Sequence, residues 1–202
     1  TAADLYRRGL LTEAEARRLL TFCNNSNPVF LISVLGVGVF GSVRAGVWLW
    51  LIHLLSALTV GLFFRGGRRA DCRPVSPPPL SQPAAPARAF VEAVTSSAAS
   101  MVSVCAFVIF FYVLAKPLSA LGGYCSPLLT GFLELFSLTP LLPPDRMGFL
   151  LAAGLSGWGG LSVMAQTAAA LEGSGLPLAP CLIGKFLQGL LSALLAALAA
   201  PL

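Results

Sequence analysis

The chain has 202 residues, of which 56% are hydrophobic and only 10% charged, with a formal net charge of +5. Soluble domains carry about 25% charged residues, so this composition, with a mean hydropathy of +0.84, excludes a water-soluble globular protein and makes lipid the solvent. Cys23, Cys72, Cys105, Cys125 and Cys181 are scattered and show no C-x-x-C spacing, which reads as small hydrophobes kept reduced and not as a metal or redox site.

Leu5 to Leu20 (LYRRGLLTEAEARRLL) predicts an amphipathic helix, with Thr12 and Glu15 in a capping-box pattern at an internal restart. The polar run FCNNSNP then interrupts it. Val29 to Phe40 is apolar but only twelve residues long, too short to cross a bilayer at about 1.5 Å per residue. Ala45 to Phe64 is long enough. Arg65, Arg68, Arg69 and Arg73 follow it, and the positive-inside rule places that basic loop in the cytoplasm.

Arg73 to Pro86 (RPVSPPPLSQPAAP) is proline-rich and aperiodic, the composition of a semi-rigid linker. It divides the chain into residues 1–72, a linker at 73–87, and residues 88–202. Phe90 to Ala115 is a second spanning candidate and contains the small polar patch TSSAAS. Leu128 to Leu142 is apolar around a central Glu134. Met147 to Leu155 and Val163 to Leu171 are short halves around GWGG, and Cys181 to Leu198 spans again with Lys185 near one end. Short apolar segments interrupted by Gly, Pro, Asn or Ser in both halves of a chain predict discontinuous helices and re-entrant hairpins of the transporter kind.

The two halves also resemble each other. LLSAL occurs at Leu54–Leu58 and at Leu190–Leu194, an offset of 136 residues. The same offset pairs Ser26 with Ser162, Leu35 with Leu171 and Phe22 with Trp158, and lays CNNSN on GGLSV. On this register the first unit lacks counterparts of the helices that open the second, so further spanning segments are expected upstream of Thr1.

Irregular backbone survives in hydrocarbon only where it lines a cavity or packs inside protein. Asn and Ser can satisfy freed backbone groups and still offer donors and acceptors to a solute. Pro28 fits the first turn of the following helix, whose N-terminus faces the break and favours an anion. In the second break, glycines permit close backbone approach, and Ser162 and Gln166 share a helix face. A carboxylate such as Glu134 within an apolar segment marks function by default. Lys185 is a candidate counter-charge for an anion, with snorkelling to the interface as its ordinary alternative. His53 reads as a packed, hydrogen-bonded residue. No Ser/His/Asp or metal-ligand set assembles, so neither an enzyme, a cofactor nor a metal is expected, and the basic clusters lack the aromatics of a nucleic-acid surface.

LYRRGLLTEAEARRLLTFCNNSNPVFLISVLGVGVF resembles the sporulation integral membrane proteins of the YlbJ (SpoVV) type. So do FVEAVTSSAASMVSVCAFVIFFYVL, GFLELFSLTPL and GLSGWGGLSVMAQTAAAL in the second half. That family belongs to the nucleoside-recognition, or gate, domain group and is similar to concentrative nucleoside transporters. The resemblance implies an all-α polytopic membrane protein with two inverted gate-like repeats, the first incomplete here, and re-entrant hairpins meeting near the bilayer midplane. It implies a role in endospore formation, with dipicolinate import across the outer forespore membrane, or else across the cell membrane of a spore-former. On the matching positions the hairpin tips are Asn24, Asn25, Ser26 and Asn27, and Gly159, Gly160, Ser162 and Gln166. Glu134 falls on the carboxylate of the family's G-x-x-E motif, as a residue coupling a proton or sodium ion or orienting the tips. The expected partners are a small anionic solute such as dipicolinate, or a nucleoside, with homo-oligomerisation open. A membrane scaffold in spore-envelope assembly is the alternative from another class.

Overall fold

The computed structural model describes residues 2–66 and 86–199. Most of the basic loop and all but the end of the proline-rich linker lie outside the described residues. Helix accounts for 81% of the structure and, among the described residues, there is no strand.

The N-terminal stretch forms two helices, α1 (Ala2–Arg7) and α2 (Glu13–Leu20). The restart at Thr12 is a capping box: Thr12 Oγ1 accepts from Glu15 N, and a Glu15 carboxylate oxygen accepts from Thr12 N at 2.8 Å. After the break the chain winds from Pro28 into a π-helix (Phe30–Val39). Asn27 Oδ1 accepts from Val29 N at 2.8 Å, so Asn27 caps this helix and Pro28 occupies its first turn, where a missing N–H costs nothing. A tight turn then leads to α3 (Val43–Phe63), which starts at a Ser42 cap. The π-helix folds back on α3 with Gly36 directly against Gly46, where any side chain would collide with backbone.

α4 (Pro86–Ala115) begins at the last proline of the linker, again a first-turn position. The predicted apolar segment around Glu134 is not one helix. α5 (Cys125–Leu133) stops at Glu134, and a 3₁₀ turn (Phe136–Leu141) follows. α6 (Arg146–Trp158) and α7 (Leu161–Leu171) are the halves around the glycine pair, and α8 (Ala179–Ala199) ends the described chain.

Polarity is arranged inside out. On α8 the buried face carries Cys181, Lys185, Gln188, Ser192 and Ala196, one helical stripe. The exposed face carries Leu182, Ile183, Phe186, Leu190 and Leu194. α3 repeats the pattern, with His53 and Ser56 buried and Leu51, Leu54, Leu58 and Leu62 exposed. Water would select the opposite arrangement; hydrocarbon selects this one. Four helical stretches among the described residues are long and apolar enough to cross a membrane: Val43–Phe63, Pro86–Ala120, Arg146–Leu171 and Ala179–Ala199. α4 is exposed along nearly its whole length, and its Thr95 and Ser100 hydroxyls bond back to its own carbonyls.

With no hydrophobic force between helices in lipid, close packing and polar contacts must hold them. α6 and α8 meet along a small-residue seam, where a methyl on Gly157 would lie 2.8 Å from Gly189 Cα and from Ser192 Oγ. α3 and α8 are joined by Ser56 Oγ and Ser192 Oγ at 2.7 Å. These two serines are partners under the 136-residue offset.

Candidate functional site

Four elements bring their irregular or polar parts to one place. The CNNSN break is pinned from several sides. Lys185 Nζ on α8 donates to Asn24 O at 2.9 Å, and Gln188 Nε2 donates to Asn25 Oδ1 at 3.2 Å. His53 Nε2 on α3 accepts from Ser26 N at 3.2 Å, which fixes that nitrogen as the unprotonated one. Ser26 Oγ donates to Ser156 O on α6 at 3.4 Å, and Asn24 Nδ2 donates to Thr167 Oγ1 on α7 at 3.0 Å. The two predicted breaks are therefore neighbours in space.

The glycine pair is held differently. Gly159 and Gly160 have φ of 87° and 88°, backbone that side chains with a Cβ rarely adopt. A methyl on Gly160 would meet Leu133 O at 3.1 Å and Leu135 N at 3.3 Å. Close approach thus serves the Glu134 break, and Gly160 is not in the cavity wall where a tip residue is expected. Trp158 fastens the same junction: Nε1 donates to Phe132 O at 3.0 Å, and the two rings stack 5.1 Å apart.

Glu134 is 1% exposed. Its carboxylate accepts from Phe136 N at 3.0 Å, Ser137 N at 2.6 Å and Ser137 Oγ at 2.6 Å. Both oxygens cap the 3₁₀ turn that follows it.

These breaks line a half-open cavity of about 690 Å³. Asn24, Asn25, Ser26, Asn27, Gly159, Ser162, Gln166, Glu134 and Lys185 all line it, so nine of the ten predicted site residues converge. The rest of the wall is largely apolar, with Phe30 and Phe136 in edge-to-face contact at 4.8 Å. Ser162 and Gln166 hydrogen-bond each other at 3.1 Å, as their spacing on one helix face predicts.

Lys185 departs from its ordinary alternative. It is 1% exposed and does not snorkel. Its Nζ bonds Asn24 O and Gln188 Oε1, both at 2.9 Å, and among the described residues it makes no ion pair. The Lys185 amine therefore faces the cavity with neutral hydrogen-bond partners only, among the described residues.

Over 95% of its length the chain is 28% identical to the sporulation integral membrane protein YlbJ of Bacillus subtilis (strain 168), of which it spans 57%. The similarity supports a YlbJ-type sporulation membrane protein. The four apolar helical stretches of spanning length agree with an integral membrane protein. No family model matches the chain, and no solved structure matches it.

Residue-by-residue reading missed Gln188 and Thr167. Gln188 lies three positions beyond Lys185 on a helix otherwise rich in Leu and Ala, and that spacing was its signal. Thr167 has none, because a threonine one place after Gln166 is ordinary in a membrane helix. His53 is buried and hydrogen-bonded, as expected of it.

Proposed function

We propose that this chain is the solute-binding part of a membrane permease acting in endospore formation, and that its solute is a small anion. The observation that carries this reading is Lys185, a buried amine that makes no ion pair among the described residues, on the wall of a cavity built at two chain breaks. Burying a charge in lipid is costly unless something compensates it, and a bound carboxylate would do so. The cavity's volume falls within the roughly 300–1,000 Å³ of small-molecule sites.

Dipicolinate, a planar aromatic dianion, suits these groups. Phe30 and Phe136 offer apolar surface to its ring, Lys185 offers charge, and Asn25, Ser26 and Gln166 offer neutral donors. The outer forespore membrane is the location this solute implies. Transport would proceed by alternating access, with one helical group moving against the rest around the polar breaks. Glu134 orients the tips; a proton or sodium ion would supply the driving force.

The test is uptake of radiolabelled dipicolinate by cells producing the full-length protein. Lys185→Met should lower uptake by at least about tenfold, the effect of losing one charge-assisted contact of about 1.5–3 kcal/mol, with its membrane level unchanged. Unlabelled nucleosides should not compete; if they do and dipicolinate does not, the solute is a nucleoside. Normal spore dipicolinate in cells lacking the gene, together with no uptake of either compound, would leave the scaffold role.

A further inference from the structure

A second cavity of about 340 Å³ lies beside the first. Ala2 and Ala3 of α1, Leu20 of α2, Cys23, Thr167 and Cys181 contribute to its wall. Asn24, Val163 and Gln166 line both cavities and so form the partition between them. The partition is thin. One hydrogen bond crosses from the first break to α7, Asn24 Nδ2 to Thr167 Oγ1 at 3.0 Å.

We propose that the Asn24–Thr167 hydrogen bond is the gate through which the solute passes from the central cavity to this second one, and that an anion engaging Lys185 releases it. The proposal rests on the permease reading above.

The two sides of the bond are unequally anchored. Thr167 Oγ1 also donates to Val163 O at 2.8 Å, and Gln166 is tied to Ser162, so the α7 side stays in place. Asn24 belongs to irregular backbone, and its carbonyl is held by Lys185 Nζ at 2.9 Å. A carboxylate in the central cavity is a stronger acceptor for that ammonium than a peptide carbonyl. When the ammonium turns to the anion, Asn24 loses its restraint on the cavity side and of its own bonds keeps only that to Thr167, while Asn25 and Ser26 hold the rest of the break in place.

α1, which contributes Ala2 and Ala3 to the second cavity, is itself fastened in place. Arg7 Nη2 donates to Ala170 O at 2.9 Å and Glu172 O at 3.1 Å, fastening α1 over the end of α7. Cys23 and Thr139 report on the compartments separately, since Cys23 lines only the second cavity and Thr139 only the first.

The experiment uses the full-length protein in sealed vesicles, with an anionic, membrane-impermeant methanethiosulfonate applied to each face in turn. One preparation keeps Cys23 as the sole thiol; another carries Thr139→Cys alone. Cys23 should react from one face, and Thr139→Cys only slowly from that same face. Thr167→Val should speed that slow reaction about three- to tenfold, the equilibrium share of one hydrogen bond, and Thr167→Ser should not. If Thr167→Val fails to reach the membrane, Asn24→Ala breaks the same bond from its other partner. The proposal is overturned if Thr139→Cys in the otherwise intact protein reacts from Cys23's face as fast as Cys23 does. It is equally overturned if both bond-breaking variants leave the rate unchanged, or if Cys23 reacts from neither face. No solute is needed, so absent dipicolinate uptake with an intact gate response would count against the permease reading alone.

Discussion

The two chain breaks that meet at the cavity do their work by opposite means. The first, Cys23 to Asn27, is a polar run whose main chain and side chains together are tied by hydrogen bonds to several helices: α8 through Lys185 and Gln188, α3 through His53, α7 through Thr167. The second, Gly159 and Gly160, is nearly without side chains and is held by shape, with backbone pressed against the Glu134 break and Trp158 stacked on Phe132. Hydrogen bonds of the first kind can be exchanged for bonds to a solute at little net cost. Packing of the second kind cannot be exchanged for anything. The first break is held by exchangeable bonds, the second by fixed packing.

The largest expected effect on stability comes from giving the second break a side chain. Gly160→Ala places a methyl in strained backbone and against Leu133 O, at a cost of about 1–3 kcal/mol for the conformation alone. Thermal unfolding of the purified protein in detergent should show a clear drop in midpoint, with less protein reaching the membrane. Ser26→Ala is the matched change in the first break, losing a 3.4 Å contact to Ser156 O; it should leave the midpoint nearly unchanged while lowering uptake. Equal destabilisation by the two would dissolve the contrast.

Trp158→Phe sharpens the comparison on a smaller scale. It keeps an aromatic ring stacked on Phe132 but removes the Nε1 donor to Phe132 O. A loss of about 1 kcal/mol is expected, the net worth of one hydrogen bond. Uptake per molecule of folded protein should be unchanged, because this contact fixes the static break and does not face solute.

The sequence made the existence of both breaks legible, because lipid tolerates a polar or glycine-rich run inside an apolar stretch only where the run lines a cavity or packs against protein. It also made the Thr12–Glu15 cap and Pro28's first-turn place legible, since both depend on local chemistry alone. The division of labour between the breaks was not legible. Gly160 reads equally as a ligand contact or a packing contact until its neighbour is known, and that neighbour, the Glu134 segment, lies 26 residues away in sequence. Lys185 was ambiguous for a related reason. Position near a helix end permits snorkelling, and only the packing of α8 against the first break shows that the amine turns inward.

The smallest expected effect concerns Ser56 and Ser192, which bear on the relation between the two halves of the chain. Under the 136-residue offset they are equivalent positions, and their hydroxyls lie 2.7 Å apart between α3 and α8. A two-fold relation brings equivalent residues together where both lie near its axis, which is the contact these two serines make. Ser56 Oγ also donates to His53 O at 2.9 Å, which leaves Ser192 as the donor in the pair. Replacing either serine by alanine should then break the same bond. The double mutant should be no worse than Ser56→Ala, which also loses the bond to His53 O, with a coupling of about 0.6 kcal/mol, typical of interhelical hydrogen bonds in membranes. Additive losses in a double-mutant cycle on unfolding would mean that the serines act separately through their own backbones. The offset would then rest on sequence likeness alone.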